Sequence, residues 1–200
     1  MPDGSFGLNP ASPPPRLAVL ISGGGRTLLN LHDHIRRGDL RAEIPLVIAS
    51  KQTDGVLKAR QLGMRVEVIP GRIPQATLAA LLTQHRIDWI VLAGYLSLVD
   101  IPPAYRGRVV NIHPALLPKH GGKGMYGHHI HEAVLKAREP VSGCTVHFAD
   151  EQYDRGAIIL QRTCPVYPTD TPDTLAARVF ALELEAYPAA LKQLLEDRKE

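Results

Sequence analysis

The chain reads as an α/β domain with a mostly parallel central sheet and helices on both faces. Three observations predict this. Short aliphatic runs (Leu17 to Ile21, Ile44 to Ala49, Trp89 to Ala93) alternate with amphipathic stretches of helical period. Glycines stand where strand gives way to helix, above all Gly23-Gly24-Gly25. With 200 residues, 44% hydrophobic and 22% charged, the chain is long and apolar enough for one substantial core, which excludes a disordered or fibrous body.

Taken in order, Met1 to Pro15 holds five prolines and two glycines and few large apolar groups, so a flexible tail is expected over residues 1–15, followed by a single domain over residues 16–200. Leu17 to Ile21 is a continuous apolar run, as a strand covered on both faces requires. A helix opens near Arg26, has an apolar face of Leu28, Leu29, Leu31 and Ile35, and stops at Gly38. Ile44 to Ala49 is the second strand, Gly55 to Leu62 a helix ended by Gly63, and Val66 to Ile69 the third strand. Gln75 to His85 is helical, and Trp89 to Ala93 and Val109 to His113 are further strands. The long Pro/Gly-rich loop from Pro114 to Gly127 follows, and loops of that length in compact domains are commonly functional. Ile130 to Ala137 resumes a helix, Thr145 to Phe148 and Ile158 to Leu160 are late strands, and Thr174 to Leu195 is a closing helix with Pro172 at its start.

The formal charge of +3 comes from 23 basic residues scattered among 20 acidic ones, and only 5% of the chain is aromatic, so no nucleic-acid surface is expected. No apolar run reaches the roughly 20 residues of a membrane helix and no signal pattern opens the chain, which leads to an expectation of a cytoplasmic protein that needs no membrane. Cys144 and Cys164 are too few and too far apart for a disulfide framework or a CxxC motif.

Two stretches carry chemistry. Ser22-Gly23-Gly24-Gly25-Arg26-Thr27 lies between a strand and a helix, where backbone amides and the helix dipole favour an anion. A dinucleotide fingerprint fails at Leu28 and no Gly-Lys-Ser/Thr follows, which leaves a cradle for a lone phosphate or a plain tight turn. Asn111 and His113, two apart at a strand end, point to the same side. An amide donor beside an imidazole suits a developing oxyanion, and a carboxylate such as Asp154 could orient the ring. Read as structure alone, His113 is a hydrogen-bonding group and Asp154 a turn residue, so the pattern by itself leaves both roles open.

Asn111-Ile112-His113-Pro114-Ala115-Leu116-Leu117-Pro118 resembles the signature of the folate-dependent formyltransferases, and Val146-His147-Phe148 followed by Tyr153-Asp154-x-Gly156 resembles their second motif. With Ser22-Gly23, Leu92-Ala93-Gly94-Tyr95 and Arg178-Val179 to Tyr187-Pro188, the similarity covers residues 16–192. It implies a Rossmann-like formyltransferase fold and Asn111, His113 and Asp154 as the catalytic set. The single-domain length and the glycine turn resemble the branch acting on glycinamide ribonucleotide, which implies transfer of the formyl group of 10-formyltetrahydrofolate, as co-substrate, to the glycine amine of a phosphoribosyl acceptor. By position, Gly25, Arg26 and Thr27 would hold the phosphoribosyl group with Glu183 near its ribose, and Leu96, Ser97, Leu98, Val99 and Asn111 would meet the folate. Gly24, Arg26 and Thr27 stand where the family commonly has Asn and Ser, and Ser97 where it commonly has Arg. The loop over residues 119–127 is expected to act as a lid.

Three rival readings exist. A metal centre built from His120, His128, His129 and His131 fails because His128 and His129 point apart on a helix and no Cys or acidic residue has zinc-site spacing, so no metal is expected. A 10-formyltetrahydrofolate hydrolase would use the same three residues on water, and a noncatalytic nucleotide-binding module would leave their agreement unexplained. A monomer and a homodimer are equally compatible with the sequence.

Overall fold

The computed structural model describes residues 13–196, so the expected tail lies almost wholly outside the described residues. Within the described residues, the Pro15 carbonyl accepts the N–H of Glu43 at 2.9 Å. The elements are β1 (Arg16–Ile21), α1 (Arg26–Arg37), β2 (Glu43–Ala49), α2 (Asp54–Gln61), β3 (Val66–Val68), α3 (Gln75–Gln84), β4 (Trp89–Leu92), β5 (Val109–His113), α4 (His128–Lys136), β6 (Val141–Phe148), β7 (Ile158–Pro165) and α5 (Pro172–Glu196). They form one seven-stranded sheet in the order β3-β2-β1-β4-β5-β6-β7. The first five strands are parallel, β6 pairs antiparallel with β5, and β7 pairs antiparallel with β6.

Period-two alternation builds both faces. Leu17, Val19 and Ile21 of β1 join a core formed with Leu28 and Leu31 of α1 and Val179, Ala186 and Tyr187 of α5. Ala18 and Leu20 point the other way, into a second core with Leu78 and Leu82 of α3. β1 is thus buried on both sides from Leu17 onward, which is why it is apolar from there to Ile21.

The late strands are longer than the sequence predicts. β6 starts at Val141 and β7 runs to Pro165 because the pair zips without interruption from Val141↔Pro165 to Val146↔Leu160. Gln161, Arg162 and Thr163 conceal the strand because β7 lies at the sheet edge, where polar side chains reach solvent.

Helix α5 carries a proline in its interior. Pro188 has no N–H for the Leu184 carbonyl one turn back, and the Asn30 side chain of α1 supplies that missing donor at 2.8 Å. One residue earlier, the buried Tyr187 hydroxyl lies 3.0 Å from the Leu92 carbonyl and 2.9 Å from that of Val110, which ties α5 to the ends of β4 and β5.

The strand order reverses direction between β1 and β4. In an open parallel sheet, ligands collect at that switch, beyond the carboxyl ends of the strands.

Candidate active site

A cleft of about 730 Å³ opens there, lined by Gly23 to Thr27 after β1, Ala93 to Leu96 after β4, Asn111 and His113 of β5, Asp154, residues of the 122–127 loop, and Ala176, Phe180 and Glu183 of α5. The two stretches singled out in the sequence share one cavity.

Antiparallel pairing of β5 with β6 sets Asn111 opposite His147 and His113 opposite Thr145. The Asn111 amide nitrogen lies 3.1 Å from Nε2 of His147, whose Nδ1 donates to the Phe148 carbonyl at 2.8 Å. In the neutral ring, Nε2 therefore carries a lone pair that accepts from the amide and fixes which way Asn111 faces. The same Nε2 is 3.5 Å from Asp154 Oδ1, a partner it can donate to only when the ring is charged.

His113 is 4% exposed and is held at both nitrogens. Nε2 donates to the His120 carbonyl at 2.9 Å, which leaves Nδ1, 3.5 Å from Asp154 Oδ2, as the position where a proton comes and goes. Burial lowers the proton affinity of His113 below that of a free histidine; Asp154 and the His120 carbonyl pull the other way and do not overcome it. Burial works to raise the Asp154 carboxyl, yet His147, His113 and the Gly122 N–H, 2.9 Å from Oδ2, together hold it below the usual carboxylate value. The loop over residues 119–127 thus touches both groups through its backbone, at His120 and at Gly122.

Asp154 has a φ of 56°, left-handed and uncommon for an aspartate. The reason lies two residues on. At Gly156 the chain comes back against β6, with Phe148 N–H donating to the Ala157 carbonyl at 2.9 Å, and any Cβ on Gly156 would overlap the Phe148 carbonyl. The Asp-x-Gly spacing is the geometry of a tight return that tips Asp154 into the cleft. Gly156→Ala is expected to cost on the order of 1–3 kcal/mol through overpacking; an unchanged melting temperature would show that the return can relax.

At the other end of the cleft, Gly25 is left-handed at φ 71° and leads into α1, with Thr27 buried behind it. The Arg26 guanidinium stacks on the Phe180 ring with its carbon 3.8 Å from the centroid, and Glu183 lies one turn further along α5. Burial pushes the Glu183 carboxyl up to about 8, against the opposing charge of Arg26. Of the residues expected to meet the folate, Leu96 lines this cleft with its side chain 55% exposed. Ser97 and Leu98 lie outside the lining, and Val99 is packed in the second core. Arg72 pairs with Asp100.

Residues 15–191 match the formyl transferase family. The chain belongs to that family. The chloroplastic phosphoribosylglycinamide formyltransferase of Vigna unguiculata is 37% identical over 192 residues, which are 92% of this chain and 62% of the plant protein. The phosphoribosylglycinamide formyltransferase of Haemophilus influenzae is 33% identical over 201 positions, 92% of this chain and 88% of that one. The crystal structure of glycinamide ribonucleotide transformylase 1 from Symbiobacterium toebii superposes with a TM-score of 0.85 at 32% identity, covering 98% of this chain and 94% of its own.

Sequence reasoning about this formyl transferase missed two residues of the site. His147 stood inside the second motif, and only its register opposite Asn111 shows that it orients the amide. Gly55, at the start of α2, abuts the glycine turn: Gly25's Cβ, were there one, would lie 2.9 Å from its Cα. Among the described residues, no group of three His, Cys, Asp or Glu side chains is placed to hold a metal ion.

Glu183 makes stability pH-dependent with a definite sign. Its folded value of about 8 exceeds the ordinary 4.5, so its contribution is full below about 4.5 and is lost as pH rises through about 8. Gln stays neutral throughout. Glu183→Gln is expected to melt with the wild type at pH 4.5 and above it at pH 9, by on the order of 2 kcal/mol or roughly 4–8 °C; parallel melting curves at both pH values would contradict the burial of this carboxyl.

Proposed function

We propose that this formyl transferase moves the formyl group of 10-formyltetrahydrofolate to the glycine amine of N1-(5-phosphoribosyl)glycinamide, giving the formylglycinamide ribonucleotide and tetrahydrofolate in purine synthesis. The observation that carries this reading is the shared cleft, with a helix N-terminus built for an anion at one end and Asn111, His113 and Asp154 at the other. A phosphate anchored at Gly25, Arg26 and Thr27, with Glu183 beside the ribose, would present the acceptor amine to a formyl carbon near Asn111.

The amine attacks the formyl carbon, and the carbonyl oxygen becomes an oxyanion that accepts from the Asn111 amide and from Nδ1 of His113. His120 already occupies the other ring nitrogen, so uptake of a proton by His113 takes place at Nδ1. Burial lowers the proton affinity of the ring in the free protein, and the developing oxyanion favours uptake of a proton from solvent, which His113 gives back when the intermediate collapses. Asp154 balances the imidazolium and directs the amine proton, through water, toward the departing tetrahydrofolate nitrogen. Leu96 and Asn111, with the 96–99 segment behind them, would face the folate. The acceptor and the folate are the partners proposed, with no metal, in a domain over residues 16–200 that works in the cytoplasm as a monomer or homodimer; among the described residues no helix is long and apolar enough to cross a membrane.

Release of tetrahydrofolate from 10-formyltetrahydrofolate, followed with and without glycinamide ribonucleotide, tests the reading. Turnover that requires the acceptor supports it, and acceptor-independent turnover would make the protein a hydrolase.

A further inference from the structure

The turn at the phosphate end and the segment at the folate end meet at one buried hydroxyl. Ser22, 5% exposed, directly follows β1. Its Oγ accepts the N–H of Leu96 at 3.0 Å and the hydroxyl of Ser50 at 2.8 Å, and its own N–H donates to the Gly94 carbonyl at 3.1 Å. The ends of β1, β2 and β4 converge on this single residue.

What surrounds it makes those bonds matter. A Cβ on Gly23, Gly24 or Gly94 would find nothing within 4 Å, so no side-chain packing holds these backbone segments from that side. On that side hydrogen bonds hold them, while the Gly55 backbone packs against the turn and the buried Tyr95 anchors the other segment in the core. Leu96 exposes its side chain to the cleft while its amide is fixed to Ser22, and the next residue along the turn, Gly23, receives the Thr53 hydroxyl on its carbonyl at 2.9 Å. Moving the Ser22 oxygen would therefore shift the phosphate-side turn and the folate-side segment together.

We propose that Ser22 is a positioning residue that locks these two segments into one unit, so that occupation of either substrate subsite strengthens binding at the other. The inference rests on the formyl transfer reading above. The Ser50 hydroxyl bonds the same Ser22 oxygen, and removing it leaves the Ser22 to Leu96 bond in place, so Ser50 is the weaker constraint on the joined segments.

KM for each substrate, measured at saturating concentration of the other, tests this in the wild type, Ser22→Ala and Ser50→Ala, with melting temperatures alongside. Ser22→Ala is expected to raise both KM values about tenfold, in the range of ordinary coupling between sites, with kcat changed less than about threefold. Ser50→Ala, which removes one of the two donors to the same oxygen, is expected to raise both KM values by a smaller factor than Ser22→Ala. Ser22→Ala with wild-type KM values, or with a lowered melting temperature as its sole effect, would overturn the proposal while the formyl transfer reading stands. A wild-type protein without acceptor-dependent turnover would overturn that reading and the inference with it.

Discussion

Asn111→Ala, His113→Ala and Asp154→Asn are each expected to lower acceptor-dependent tetrahydrofolate release by about a hundredfold or more, the loss typical when one preorganised oxyanion donor is removed. The three act differently. Asn111→Ala deletes the donor that His147 aims at the cleft. His113→Ala deletes the nitrogen that faces Asp154, while the His120 carbonyl loses its partner. Asp154→Asn is the cleanest of the three because asparagine tolerates the left-handed φ of 56° that this position demands, so the return at Gly156 survives while the charge and one acceptor oxygen are lost. Steady-state rates with circular dichroism as the folding control would check this. A variant that retains more than a third of wild-type turnover removes its residue from the catalytic set.

Gly55→Ala is expected to raise the KM for glycinamide ribonucleotide at least about tenfold, with kcat and the KM for the folate little changed, since substrate positioning is sensitive to shifts of about 1 Å. Alanine is the better helix former by about 1 kcal/mol, so local propensity favours the substitution at the start of α2. Its methyl group would nevertheless press on the Gly23 carbonyl, stand 2.9 Å from the Gly25 nitrogen and 3.0 Å from the Gly24 carbonyl carbon. All three are backbone atoms of the turn, and none can rotate away as a side chain could. The turn must move, and with it the amides offered to the phosphate. Calorimetric titration with glycinamide ribonucleotide would give the same answer as kinetics, and an unchanged affinity would show that the turn does not contact the acceptor.

Much of this molecule was legible in the amino-acid order. β1, α1, β2, α3 and β4 lie within a residue or two of where apolar periodicity and glycine stops predict them, because a buried face imposes its period on the sequence locally. Asn111, His113 and Asp154 stand out once the family resemblance is seen, and all three line the one cleft together with the glycine turn.

Other features carry no local signal. Asn30 completes the backbone of a proline helix across 154 residues, Gly55 is small because Gly25 sits against it, and His147 orients Asn111 through a strand register 36 residues away. The direction of the His113 proton shift is of this kind also: the sequence places a carboxylate to keep the ring charged, and burial, which no single segment reveals, outweighs it. By itself the sequence determined the class of fold and the ends of most elements, since these are written in neighbouring residues, and its family resemblance singled out the three groups proposed for the chemistry. Tertiary structure alone decided how those groups are aimed, because register, close backbone approach and desolvation arise only when distant segments are brought into contact.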